Sequence, residues 1–369
     1  MGLQIAENLK KAREAVGLTP ERAADLSGVS KSSIYAYENG QEPKFSQLAR
    51  LASTYRRPVD FFLSESSPPD GIMLWRDPPA NPTDSREVEA EFRQLCEQYH
   101  RLEQLMSEPA GDLLPKFDTQ TSVTMDYPWA ETLAEAVGKA MGLGEIPACS
   151  LKQTLEEKYA IKIFYRHKFS GSAISTRSEV FGNGILLKSK HKRWRRNFDL
   201  AHELFHLLTW DIFRKSADQK PDAQEEKLAN AFASRLLLPT DGVRRAIEQR
   251  RGGHAKIGLS ELNDIAHEFD ISLDALLWRL KRLYTVSESR IDELLEQSRQ
   301  AGEKPAREDN SPVEILPERY QRLAIRALHS GRLSLMQFAK YMRISYWKSQ
   351  DYLDEGEGFT DEEISLSIA

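Results

Sequence analysis

The stretch Phe198-Asp199-Leu200-Ala201-His202-Glu203-Leu204-Phe205-His206-Leu207-Leu208 constrains this chain more than any other. Its apolar residues fall on nearly every side of a helix, so the segment has to be buried, yet it carries two histidines and an acid. Four residues apart, His202 and His206 share one helix face. Neutral imidazoles so arranged can grip one Zn²⁺, and Glu203 beside them is placed to accept a proton from water activated there. Two polar rings inside a core helix would be costly without such partners.

A catalytic zinc takes three protein ligands and keeps one position open. The next helix begins at Glu225-Glu226-Lys227-Leu228-Ala229-Asn230-Ala231-Phe232 and is stopped by Pro239. Glu226 is the chosen third ligand and Glu225 the alternative; a solvated helix start is the plain reading of both. Asn230 follows Glu226 by four residues on the same face and would orient a ligand imidazole.

The pentad, followed by Glu226, Ala229, Asn230, Phe232, Ala233, Leu236, Leu237 and Pro239, resembles the ImmA/IrrE family of metallopeptidases. The resemblance implies a zincin-like catalytic domain with Glu226 at the acidic ligand position. It also implies cleavage of a repressor or antitoxin in response to stress, DNA damage or mobile-element signals. The chain departs from the family at Phe205, where a glycine is usual and a bulky ring would narrow the approach of substrate.

The first 63 residues read as five short helices. Thr19 caps the second with Pro20 in its first turn, Gly28-Val29-Ser30 makes a turn, and Ser30 caps a third helix from Lys31 to Glu38. This unit is similar to the Xre/Cro-type helix-turn-helix domain, most closely at Ser33-Ile34-Tyr35-Ala36-Tyr37-Glu38-Asn39-Gly40. The resemblance places the third helix in the major groove of a double-stranded DNA operator, with Lys31, Ser32, Ser33 and Tyr35 toward the bases. Pro20 stands where the family usually has a glutamine that contacts phosphate. Nine Lys/Arg against seven Asp/Glu give the unit only a modest positive balance. A domain used for protein contact alone is the competing reading. Paired half-sites are compatible with a homodimer, and the sequence leaves the oligomeric state open.

Ser64 to Asp84 is rich in Ser and Pro and reads as an extended linker. A polar helix follows with an apolar stripe at Phe92, Leu95, Tyr99, Leu102 and Leu105 or Met106, suited to packing on the peptidase domain or a second copy. Strands are expected at Ile161–Tyr165, Ser172–Thr176 and Gly184–Lys188. An edge strand of such a sheet would hold substrate backbone, and Ile185-Leu186-Leu187 is the one nominated. Tyr165 and His254 have the chemistry to stabilise an oxyanion.

Lys188 to Arg196 packs six basic residues into nine. A solvated turn is the plain reading; the sharper one is a single-stranded nucleic-acid sensor in which Trp194 stacks on a base while Lys190, Lys192, Arg193, Arg195 and Arg196 track phosphates. Pro317 to Asp351 carries seven Lys/Arg against two Asp/Glu and would bind nucleic acid or cover the peptidase.

The expected architecture is mainly α with a small sheet, an α+β chain. It divides into a helix-turn-helix domain (1–63), a linker and connecting helix (64–109), a zinc metallopeptidase domain (110–250), a helical extension (251–300) and a C-terminal helical domain (312–369). A polar linker is expected from Ala301 to Pro312 and an acidic, mobile end from Asp351 to Glu363. Two cysteines in unlike contexts exclude a disulfide framework, and with no run of 18 apolar residues and no signal-like start the expected compartment is the reducing cytoplasm, off the membrane. The sequence is also compatible with a non-enzymatic transcription factor that uses its zinc domain as a sensor, or with an antitoxin that holds a toxin through residues 110–300.

Overall fold

Local hydrogen bonding builds the N-terminal unit in the computed structural model, which describes residues 2–64, 72–79, 81–111, 113–117, 124–168, 170–214, 221–252, 256–300 and 313–354. Its helices are α1 (Gly2–Ala15), α2 (Pro20–Ser27), α3 (Lys31–Glu38), α4 (Phe45–Thr54) and α5 (Val59–Leu63). The Thr19 side chain accepts from the Arg22 amide at the start of α2, and Gly28 closes that helix in the left-handed conformation at φ 67°. Ser30 caps α3 by accepting from the Ser33 amide. Ile5, Leu9, Ile34, Leu48, Leu51 and Phe62 form the core, and a bidentate Arg13–Glu38 pair at 2.7 and 2.8 Å ties α1 to α3.

Part of the expected linker is structure. Ile72–Arg76 forms a strand, β1, and α6 (Pro82–Leu105) begins directly after the prolines. The alternation of Ile72-Met73-Leu74-Trp75-Arg76 is hidden in sequence by its Ser- and Pro-rich flanks, and pairing with a distant strand decides it. Residues 65–71 and 80 lie outside the described residues, as do His254, the Ala301–Pro312 linker and the acidic end beyond Asp354.

Helices α7 (Tyr127–Met141) and α8 (Pro147–Glu157) precede the strands β2 (Lys162–Arg166), β3 (Ala173–Ser178) and β4 (Gly182–Lys188). The sheet order is β1-β3-β4-β2, with β1 and β4 antiparallel to β3, and β2 parallel to β4. Ile185–Leu187 is therefore interior, flanked by β3 and β2, and cannot take an added strand; its unbroken apolar run is that of a strand buried on both faces.

Both faces are covered by helices. On one, Leu74, Ile163, Tyr165, Ala173, Ile185 and Leu187 pack with α9 (Arg193–Leu208), the short α10 (Trp210–Phe213) and α11 (Ala223–Leu237). The same core takes in α12 (Thr240–Arg251), α13 (Leu259–Glu268), α14 (Leu273–Leu283) and α15 (Glu288–Gln300). The opposite face presents Phe164, Ile174 and Leu186 to α6, α16 (Glu318–His329) and α17 (Leu335–Met342), with α18 (Tyr346–Asp354) beyond. The stripe of α6 is thus consumed by the sheet and α16. Ala90 of α6 also reaches the N-terminal core, and Arg57 pairs with Glu97 at 3.0 Å, so α6 carries the helix-turn-helix unit on one side and the sheet on the other. Among the described residues no helix is long and apolar enough to cross a membrane.

Candidate metal centre

One cap and one packing contact set the geometry. Asp222 starts α11 by accepting from the amides of Gln224 and Glu225 at 2.9 and 2.8 Å, which fixes the phase of that helix. Packing of α11 against α9 then brings Glu226 to the imidazoles. His202 Nε2 lies 3.2 Å from His206 Nε2 and 3.2 Å from Glu226 Oε2, and His206 Nε2 lies 3.5 Å from Glu226 Oε1. Among the described residues these three side chains are the one group whose ligand atoms converge as a metal ion requires.

The opposite edge of each imidazole is engaged as well. His202 Nδ1 faces Asn230 Oδ1 at 3.1 Å, and His206 Nδ1 faces Glu225 Oε1 at 2.8 Å. An acceptor at each Nδ1 favours the Nδ1–H form and leaves both Nε2 lone pairs aimed at each other and at a carboxylate. Three acceptors converging in a buried space call for positive charge, and this donor set of two imidazoles and a carboxylate suits zinc. The surrounding carboxylates place that charge on His206 as a proton when no metal supplies it. Burial presses on His206, but Glu225 and Glu226 more than offset it and lift its pKa to about 9, while burial lowers that of His202 to about 4. Glu226 is held well below the usual carboxylate range, because the two imidazoles outweigh its burial.

Glu203 occupies the same turn, 1% exposed, with Oε1 unpartnered. Burial, the largest influence, raises its pKa to about 7, against smaller opposing effects of His206 and the adjacent Ser175 of β3. A carboxyl poised there can both take and return a proton near neutrality.

Glu225, the alternative ligand, faces away from the Nε2 atoms and is clamped between His206 Nδ1 and Arg214. Phe205 points into the core, its ring against those of Trp129, Phe213 and Phe232 at 6.1, 6.1 and 5.5 Å, so its bulk is spent on packing rather than on narrowing an approach. Tyr165 is buried in the core between Lys152 and Arg196, 5.6 and 6.0 Å from its ring.

Asp199 is the residue that sequence reasoning passed over. Buried to 1% exposure, it receives Arg76 at 2.7 Å, His191 at 2.9 Å and Arg195 at 3.2 Å. The other nitrogen of Arg76 reaches Asn230 Oδ1 at 3.3 Å, joining β1 to the group that holds His202. An acid inside an apolar helix, three residues before the first histidine, was the available signal.

These contacts also account for most of the basic run. Arg193 pairs with Asp270 at 2.7 Å, Arg195 with Asp199, and Arg196 donates to the carbonyls of Ser189 and His191. Trp194 is half-buried, and only Lys190 and Lys192 remain exposed without an ion pair among those described. Four of the seven cations of the C-terminal unit are likewise paired, Arg319 with Glu103, Arg322 with Glu157, Arg326 with Glu108 and Arg343 with Glu91, while Lys340 and Lys348 are exposed. On α3, Lys31, Ser32 and Tyr35 are exposed and Ser33 partly so; Lys31 pairs with Glu21, and the Ser33 hydroxyl bonds to Ser30 at 2.8 Å.

Residues 156–281 match the family model of the IrrE N-terminal-like domain, a peptidase family, and residues 9–62 match a helix-turn-helix model. The chain joins a helix-turn-helix domain to an IrrE-like peptidase domain. The order is the one the motifs imply, and the peptidase match spans α9 and α11 with Glu203 and all three residues of the cluster. The helix-turn-helix domain, of a class that binds double-stranded DNA, covers α2 through most of α5. No curated protein matches the chain.

Proposed function

We propose that this IrrE-like chain is a DNA-binding transcriptional regulator with a zinc-dependent endopeptidase, cleaving a repressor or antitoxin partner, or itself, in response to stress or mobile-element signals. The convergence of His202 Nε2, His206 Nε2 and the Glu226 carboxylate beside the unpartnered oxygen of Glu203 carries this reading. His202, His206 and Glu226 would hold the ion. Zinc bound there supplies a Lewis acid that polarises the scissile carbonyl and lowers the pKa of water.

The rest of the chemistry belongs to the protein. Glu203, buried with Oε1 unpartnered beside the ligands, accepts a proton from the attacking water and returns it to the leaving amine. Asn230 and Glu225 fix the ring orientations of His202 and His206, and Arg214 holds Glu225 in place. The exposed start of α3, with Lys31, Ser32, Ser33 and Tyr35, reads the operator. Binding there is expected to weaken steeply with added salt.

Glu203→Gln decides the enzymatic part. Purified with zinc and incubated alone or with a helix-turn-helix repressor, wild type should yield fragments by mass spectrometry, while the variant retains the metal and yields none. Equal turnover by both removes Glu203 from the reaction. Zinc retained by a wild type that cleaves neither partner nor itself leaves the domain as a sensor.

A further inference from the structure

A peptidase sheet holds an extended peptide by adding it to an exposed strand edge. Here the strand beside Glu203 is β3, through Ser175, and β3 and β4 are the strands packed on α9. With β4 interior, the free side of β3 would be the edge next to the metal centre, but β1 is paired along it. β1 lies outside the residues that match the peptidase family and comes from the segment that follows the helix-turn-helix domain.

Its contacts reach the centre. Leu74 stands opposite Ser175 and is 2% exposed in the core shared with α9. Met73 and Trp75 pack on the other face of the sheet. Arg76, on the α9 side, latches the strand to Asp199 at 2.7 Å and to Asn230 at 3.3 Å.

We propose that β1 occupies in cis the position of the substrate strand on β3, and that an extended peptide, apolar where Leu74 stands and basic where Arg76 stands, binds by taking its place. This rests on the peptidase reading above, but its test does not require turnover. While β1 is paired, its high effective concentration weakens the binding of a peptide in trans without abolishing it. Release of the Arg76 latch is the step that opens the edge.

The probe is a fluorescent synthetic peptide with the sequence of residues 71–78, titrated into the full chain at saturating zinc. Arg76→Ala should bind it at least about tenfold more tightly than wild type, with faster amide exchange across residues 173–178. A disulfide joining Ile72→Cys to Arg177→Cys, directly opposite in the register, should abolish binding when oxidised and restore it on reduction. Because that pair is read in two states of one protein, it decides the matter even if Arg76→Ala fails to fold. Peptide binding that is indifferent to the lock, or absent from the latch variant and the reduced pair, overturns the proposal. Metal content of each sample separates these outcomes from a failure of the zinc reading, which would show as metal-free protein.

Discussion

Arg319 of α16 and Glu103 of α6 meet at 2.6 Å where both are buried, and Lys162 of β2 reaches the other carboxylate oxygen at 2.9 Å. One anion thus joins three elements under the sheet. Burial works against its charge, yet His100, Lys162 and Arg319 more than offset it and hold its pKa below the usual value. Glu103→Gln leaves two buried cations without their anion, at an expected cost of about 3–5 kcal/mol. Urea unfolding should show that loss, and a change under about 1 kcal/mol would mean that water reaches the triad.

Glu156 gives the fold a pH dependence. Burial is the main cause that lifts its pKa to about 7; Glu318 and Glu157 add to it, against Lys152 and Arg319, and Oε1 has no hydrogen-bond partner. Between its unfolded value of 4.5 and about 7, the folded protein keeps the proton that the unfolded chain releases. Stability therefore falls as pH rises through that window, by about 3 kcal/mol in all. Glu156→Gln should flatten the profile and raise the melting temperature above that of wild type at pH 8 but not at pH 4.5. Parallel melting curves for the two proteins across the window would contradict the assignment.

Glu225→Ala and Asn230→Ala should each weaken zinc binding by about 10- to 100-fold while leaving the three ligands in place. Competition with a chromogenic chelator measures this directly. Because Glu225 also satisfies Arg214, its removal should cost more folding stability than that of the exposed Asn230. An unchanged zinc affinity in both variants would remove these groups from the support of the site.

Gly182 opens β4 at φ 79°, and a Cβ there would lie 2.4 Å from the carbonyl oxygen of Gly111. Strain and collision act together, so Gly182→Ala is expected to cost more than about 2 kcal/mol. Chemical denaturation would register it, and a neutral substitution would show that the two backbones can separate freely.

What the sequence determined by itself was everything written into short stretches of backbone. Thr19, Gly28 and Ser30 punctuate the first helices through hydrogen bonds spanning three or four residues, and the spacing of His202 and His206 fixes their common face. The common side of α11 that Asn230 shares with Glu226 was legible for the same reason, though which imidazole it meets was decided by the packing of α9 on α11. Tertiary structure alone decided the rest. Nothing near Leu74 announces that it pairs with Ser175, and only that pairing makes Ile72–Arg76 a strand and puts Ile185–Leu187 beside two neighbours. Glu225 and Glu226 are adjacent acids in one helical turn, distinguished only by which reaches the Nε2 side of the imidazoles once α9 and α11 have packed. Arg193 reads as free charge until Asp270 is brought against it, and Asp199 reads as a lone acid until Arg76 of β1 reaches it. Caps and periodicity are settled within one turn of chain, whereas pairing, burial and ion matching join residues that the sequence separates by tens to hundreds of positions.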